Sequence, residues 1–325
     1  MWPFKKKKNQ ISVTVEAVHN ANNYDPWEGN NSNSIFSNVN FLNSVDGKPL
    51  GKNNDSYPRK CSYLFDIPSP LMKHKELIGD GYLQAAPLEV ALQKAKISEL
   101  KEILSKHNIP IKGRKNDLVQ SVLDNVPRED VNVQEIYVLS DKGAQFVNQH
   151  QHYIEISNYL INHDVTLEEY EEIKSKQPYL KVKDAVWQIY NKKAMEYSAN
   201  GNYGLLRCIE IFRYELLLSE EKFTDALYHL IVAYYYDLSG IGYNHTIAPF
   251  ESIVDKSNVL VSCFSKLKDY YTPSLVERCY SRIDVPFRYF DCTTFKRIMD
   301  DIMRDGEVDI EKYKYKAAKL VRRRK

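Results

Sequence analysis

Residues 97–119 read Ile-Ser-Glu-Leu-Lys-Glu-Ile-Leu-Ser-Lys-His-Asn-Ile-Pro-Ile-Lys-Gly-Arg-Lys-Asn-Asp-Leu-Val. Ile97, Leu100 and Leu104 fall at i, i+3 and i+7, one face of a helix. Leu118, Val119, Val122, Leu123 and Val126 give the same spacing in a second helix. The first helix stops at Asn108. Pro110 cannot continue it and pushes Ile109 toward an extended backbone. Two short helices joined by an extended turn can bury their stripes against each other. Gly113 permits a tight turn into the second helix. Lys112, Arg114 and Lys115 stand on that turn, where the N–H groups of a helix start lack intrahelical partners. Free amides and cations together make an anion site, and phosphate is the anion that suits it.

This helix–extended–helix pattern resembles the SAP motif, a small module that grips DNA. The leucine-lysine pair of its first helix is matched by Leu100-Lys101, and its Gly-basic-Lys turn by Gly113-Arg114-Lys115. Leu118 matches the packing leucine of the second helix. The resemblance implies nucleic-acid contacts from Lys101, Lys112, Gly113, Arg114 and Lys115, with Lys96 as an accessory contact. Three positions depart from the pattern. Lys96 stands where a polar cap is common, Lys112 where Ser or Thr precedes the glycine, and Ser121 where a basic residue is frequent. The alternative is a helical hairpin that docks on the rest of the protein.

The chain has 325 residues, enough for two or three domains, and 43% of them are hydrophobic, enough for a substantial core. The net charge is only +2, but it is unevenly spread. Lysines fill positions 5–8, and Arg322, Arg323, Arg324 and Lys325 close the chain. Basic tails suit polyanions, so the C-terminal four are further accessory DNA contacts; solvated ends explain them equally well. The five cysteines have no CxxC spacing and read as reduced packing residues of a cytoplasmic protein. No window of 18 apolar residues occurs, so no stable membrane insertion is expected.

Four segments follow. Residues 1–56, rich in Asn and Ser, are expected to be mostly disordered. Residues 57–150 hold the SAP-like module, flanking helices over 71–78 and 88–94, a strand over 135–140 and a helix reaching about His150. Residues 151–181 read as a linker. Residues 182–325 are helical, with amphipathic stretches over 185–198, 203–218 and 224–238 separated by short turns, an antiparallel array. Further helices are expected over 258–270, 273–281, 293–304 and 308–321. Ala194, Tyr197, Gly201 and Tyr203, then Phe223, Ala226 and Ala233, resemble tetratricopeptide half-repeats. The fold class is therefore mainly α, with a minor β element.

Catalytic patterns are missing. His150 and His152 lie two apart with no completing ligand, so they read as surface or packing residues. There is no phosphate-binding glycine loop and no nucleophile elbow. Tyr234–Tyr236 have the chemistry to stack on bases, but tyrosines along helices more often line a core. The expectation is a non-enzymatic protein that needs no cofactor. Its SAP-like module touches DNA weakly and without sequence preference, and its helical array binds a protein partner or self-associates. The layout resembles SAP-domain proteins of Gram-positive bacteria and their phages. The rivals are a protein-binding scaffold and a DNA-targeted subunit of a nuclease system.

Overall fold

The computed structural model describes residues 32–241 and 246–317. Among these the protein is mainly helical, with one two-stranded antiparallel sheet. The chain divides into two compact units at Ala144/Gln145. Among the described residues, no helix is long and apolar enough to cross a membrane.

The first unit opens with α1 (Ser32–Val45). Phe36, Val39, Phe41, Leu42 and Val45 of this helix are buried. Phe36 meets Phe65 edge-on at 6.0 Å, and the Asn40 amide donates to the Phe36 carbonyl at 2.9 Å. The expectation of disorder over 1–56 is thus corrected for 32–56, while residues 1–31 lie outside the described ones. The segment's Asn and Ser content hid an apolar stripe that tertiary packing stabilises despite poor helix propensity.

Beyond α1 come α2 (Lys60–Tyr63) and α3 (Pro70–Gly79). Then β1 (Leu83–Ala85) precedes α4 (Leu88–Lys94), α5 (Ile97–Lys106) and α6 (Lys115–Asn125). The chain returns through β2 (Tyr137–Leu139), pairing Leu83 with Leu139 and Ala85 with Tyr137. The segment after α1 lies along β2. Gly47 N–H donates to the Tyr137 carbonyl at 2.8 Å, and Tyr137 N–H donates to that of Lys48 at 2.9 Å. The paired strands thus join the two ends of the segment that carries α4–α6. The unit division falls within α7 (Asp141–Gln149). Gly143 is required there: a Cβ would sit 2.1 Å from the Tyr82 carbonyl oxygen.

The second unit contains α8 (Gln151–Ile156) and α9 (Leu167–Lys176), so 151–181 is not a linker. Tyr153, Ile156, Val165 and Tyr170 are buried. A capping box starts α9: Glu169 N–H donates to Thr166 Oγ1 at 3.2 Å, and Thr166 N–H donates to the Glu169 carboxylate at 3.0 Å. These helices are short and carry few apolar residues each, so their periodicity was weak.

Next come α10 (Val182–Ala199), α11 (Tyr203–Ser219) and α12 (Phe223–Ser239). Lys183, early in α10, donates to Ser219 Oγ at the end of α11 at 3.0 Å. Arg207, early in α11, makes two bonds to Asp237, late in α12, at 3.0 and 2.9 Å. Start meets end in both pairs, so the neighbours run antiparallel. Leu206, Ala226 and Ala233 are buried, and Trp187, Ala194 and Phe223 pack against that core. Tyr234, Tyr235 and Tyr236 are buried too, which removes them from any base-stacking surface.

The chain continues through α13 (Phe250–Ser257), α14 (Val261–Phe264), α15 (Pro273–Arg282) and α16 (Cys292–Asp305). The helix expected over 258–270 is shorter, with a 3-10 turn from Ser265 to Tyr270. Over 308–321 a 3-10 turn, Ile310–Tyr313, opens the segment.

Candidate nucleic-acid interface

The candidate module is built from α4, α5 and α6. Leu100, Ile103 and Leu104 of α5 and Leu118, Val119 and Val122 of α6 form one buried cluster. Leu92 and Ala95 join it, so α4 is a third wall. One stripe residue is corrected. Ile97, the first residue of α5, is 47% exposed, and Ile103 takes its place in the core.

Local chemistry sets the turn between the helices. Asn108 adopts a left-handed conformation, with φ of 55°. Ile109 N–H donates back to the Leu104 carbonyl at 2.9 Å, and Asn108 N–H to that of Ser105 at 3.1 Å. Ile109 then packs against the cluster, and Pro110 keeps the chain extended. Gly113 has φ of 91°, and a Cβ there would lie 2.3 Å from Asp117 Oδ2 and 2.6 Å from Asp117 Cβ. The Asp117 carboxylate needs that space because it accepts the Arg114 N–H at 2.7 Å. This corrects the expectation of free amides at one position of the turn: the Arg114 amide is already satisfied. An anion at this turn would therefore not meet the Arg114 amide.

The basic side chains are available. Lys96, Lys101, Lys112 and Arg114 are exposed and Lys115 is half-buried. None of the five is ion-paired with a described residue, whereas Lys106 pairs with Glu102 at 2.8 Å. Residues 91–126 carry seven basic and four acidic side chains, a net charge of +3. Lys112, Gly113, Arg114 and Lys115 are brought together on the turn, and Lys101 lies on the solvent side of α5. Arg322, Arg323, Arg324 and Lys325 lie outside the described residues.

The second unit holds a polar groove that sequence reading missed. It encloses about 780 Å³ between α10, α11, α12 and α15, lined by Trp187, Glu210, Arg213, Tyr228, His229 and Arg278 among others. Glu210 is 6% exposed. It accepts from Arg213 Nη1 at 2.6 Å and from His229 Nδ1 at 2.5 Å. Arg213 also donates to Asn191 Oδ1 at 2.8 Å and stacks over Trp187 at 5.5 Å. These lining residues come from four helices, so no spacing along the chain announced them. His152, one of the two histidines considered as ligands, is a packing residue, and His163 further along the chain is another. His152 lies against Tyr153, ring centroids 4.2 Å apart, and burial lowers its pKa to about 4. His163 contacts Phe212 at 5.0 Å and the Tyr190 hydroxyl at 3.2 Å.

Compared with known protein families, residues 91–126 match the SAP domain. No curated protein and no solved structure matches the chain. The matched span runs from within α4 to the end of α6 and takes in the buried cluster, the Gly113 turn and its cations. Residues 91–126 of this protein are a SAP domain.

Proposed function

We propose that the protein is a non-enzymatic nucleic-acid-binding adaptor of the kind encoded by Gram-positive bacteria or their phages. Its SAP domain contacts DNA through Lys101, Lys112, Arg114 and Lys115. Its C-terminal helical unit, a tetratricopeptide-like array, engages a protein partner or a second copy. The observation that carries this reading is the Gly113 turn, where three cations are held in sequence with no ion-pair partner among the described residues. Three or four cations on one small domain support weak binding without sequence preference, on the order of 10⁻⁴ to 10⁻⁶ M at physiological salt. Several copies, or the Arg322–Lys325 tail, would raise that affinity.

The test is titration of the full chain with random-sequence duplex DNA at several salt concentrations. Binding that weakens with salt, and weakens further in Arg114→Glu/Lys115→Glu, supports the reading. Salt-independent binding, or none, refutes it.

One observation favours a second reading, a protein-binding scaffold in which the hairpin is structural. The Asp117 carboxylate occupies the Arg114 amide and places negative charge on the same turn. In that case the double charge reversal changes neither DNA nor partner binding.

A further inference from the structure

A small cleft of about 230 Å³ lies beside the SAP domain in the first unit, and Lys48, Lys94 and Lys96 line it. All three are exposed, and none is ion-paired with a described residue. Glu99 is the one carboxylate among the lining residues, and it already accepts the Lys96 N–H at 2.9 Å. The apolar part of the lining includes Ala91, Ala95 and Ile136. Three lysines lining one depression give it a positive charge that solvent and salt only partly screen. A phosphate placed among them is attracted to that charge. The cleft is smaller than an ordinary small-molecule pocket and suits a group the size of phosphate.

Lys48 is not on a loose loop. Its carbonyl accepts the Tyr137 N–H at 2.9 Å, and the preceding Gly47 N–H donates to the Tyr137 carbonyl at 2.8 Å. Gly47, with φ of 71°, lies against the methylene chain of Lys94: a Cβ at Gly47 would sit 3.3 Å from Lys94 Cε. The strand thus fixes the Lys48 backbone before any ligand arrives, which lowers the ordering cost of binding. This residue comes from a segment far outside the matched span of 91–126.

We propose that Lys48, Lys94 and Lys96 form a second phosphate-binding cleft that takes the backbone of bound DNA, extending the interface beyond the SAP domain. The proposal rests on the DNA-binding reading above. Each lysine that contacts a phosphate adds roughly 0.9 to the slope of log affinity against log salt.

The experiment uses the full chain and a 20-base-pair random duplex. Three variants are compared with the parent: Lys48→Gln/Lys94→Gln, Arg114→Gln/Lys115→Gln, and Lys75→Gln, a lysine of α3 outside the cleft. Circular dichroism checks that each is folded. The expected result is a roughly tenfold loss of affinity and a flatter salt slope, lower by about 1 to 2, for the first variant. The Lys75 variant should change neither. If the parent binds, Arg114→Gln/Lys115→Gln weakens that binding and the cleft variant behaves like Lys75→Gln, the cleft proposal is overturned and the SAP reading stands. If the parent does not bind, both fall. If millimolar inorganic phosphate at fixed ionic strength displaces DNA from the parent but not from the cleft variant, phosphate and the DNA backbone share the cleft, as proposed; if phosphate binds the parent and not the cleft variant while both bind DNA alike, the cleft is a free-anion site and its assignment to DNA is wrong.

Discussion

In the C-terminal unit Lys193 is 8% exposed and sits between Asp164 and Glu169, at 3.0 and 3.3 Å. In the SAP domain Lys101 and Lys112 reach into solvent with no ion-pair partner among the described residues. The residue type is the same and the difference is burial. Taking a cation out of water costs several kcal/mol, so a buried one persists only with carboxylates around it. Arg207 with Asp237 and Arg213 with Glu210 follow the same rule. An exposed cation has no such requirement and stays free for an outside anion. Buried charge in the second unit therefore holds helices together, while Lys101 and Lys112 of the SAP domain face solvent.

Glu210→Ala should produce the largest effect, because it leaves the largely buried Arg213 guanidinium without its carboxylate. A loss of about 3–5 kcal/mol is expected, read by urea unfolding followed by circular dichroism. A change below about 1 kcal/mol would erase the contrast between the units. Leu100→Ala and Leu118→Ala, both fully or nearly fully buried, should each cost about 2–5 kcal/mol. A module this small has little more to lose. Hydrogen exchange of residues 91–126 should rise sharply in both variants, and unchanged protection would mean the stripes were misread.

Acid should act on the first unit through His74. Its ring is buried against Phe41, Tyr57 and Tyr137, and burial lowers its pKa to about 4 from an ordinary value of 6.5. The fold holds the neutral ring, so the unfolded chain binds more protons between those two values. This contribution is fully present above about pH 6.5 and is lost as pH falls toward 4, by at most about 3 kcal/mol. His74→Phe should flatten that pH dependence, measured as melting temperature across the range. An equally steep decline in the variant would assign the acid sensitivity elsewhere.

Gly113→Ala should cost about 1–2 kcal/mol, since it places a side chain at positive φ and against Asp117. Arg114→Glu/Lys115→Glu should move stability by less than about 0.5 kcal/mol while weakening DNA binding. Equal losses of stability and binding would turn the SAP cations into structural ones and remove the difference between the units.

The helices most legible along the chain are those whose buried face repeats within one segment. α5, α6, α10, α11 and α12 carry enough apolar residues at helical spacing to mark themselves. The Gly113 turn was equally plain, because a glycine between basic residues at a helix start is local chemistry. Less plain were α1, α8 and α9. In α1 the apolar stripe is diluted by Asn and Ser, and in α9 the Thr166–Glu169 capping box was the one clear signal.

Short-range spacing, read along one chain, sufficed for the SAP domain, its core leucines and the identity of its cations. It could not say which charges would be paired, since pairing depends on residues that meet from distant segments. Lys193 finds Asp164, Glu210 finds His229, and Lys48 comes to the same cleft as Lys94 only after the chain has folded. Desolvation then decides whether a cation must take a carboxylate partner or remains open to solvent, and burial is a property of the packed molecule rather than of any single segment.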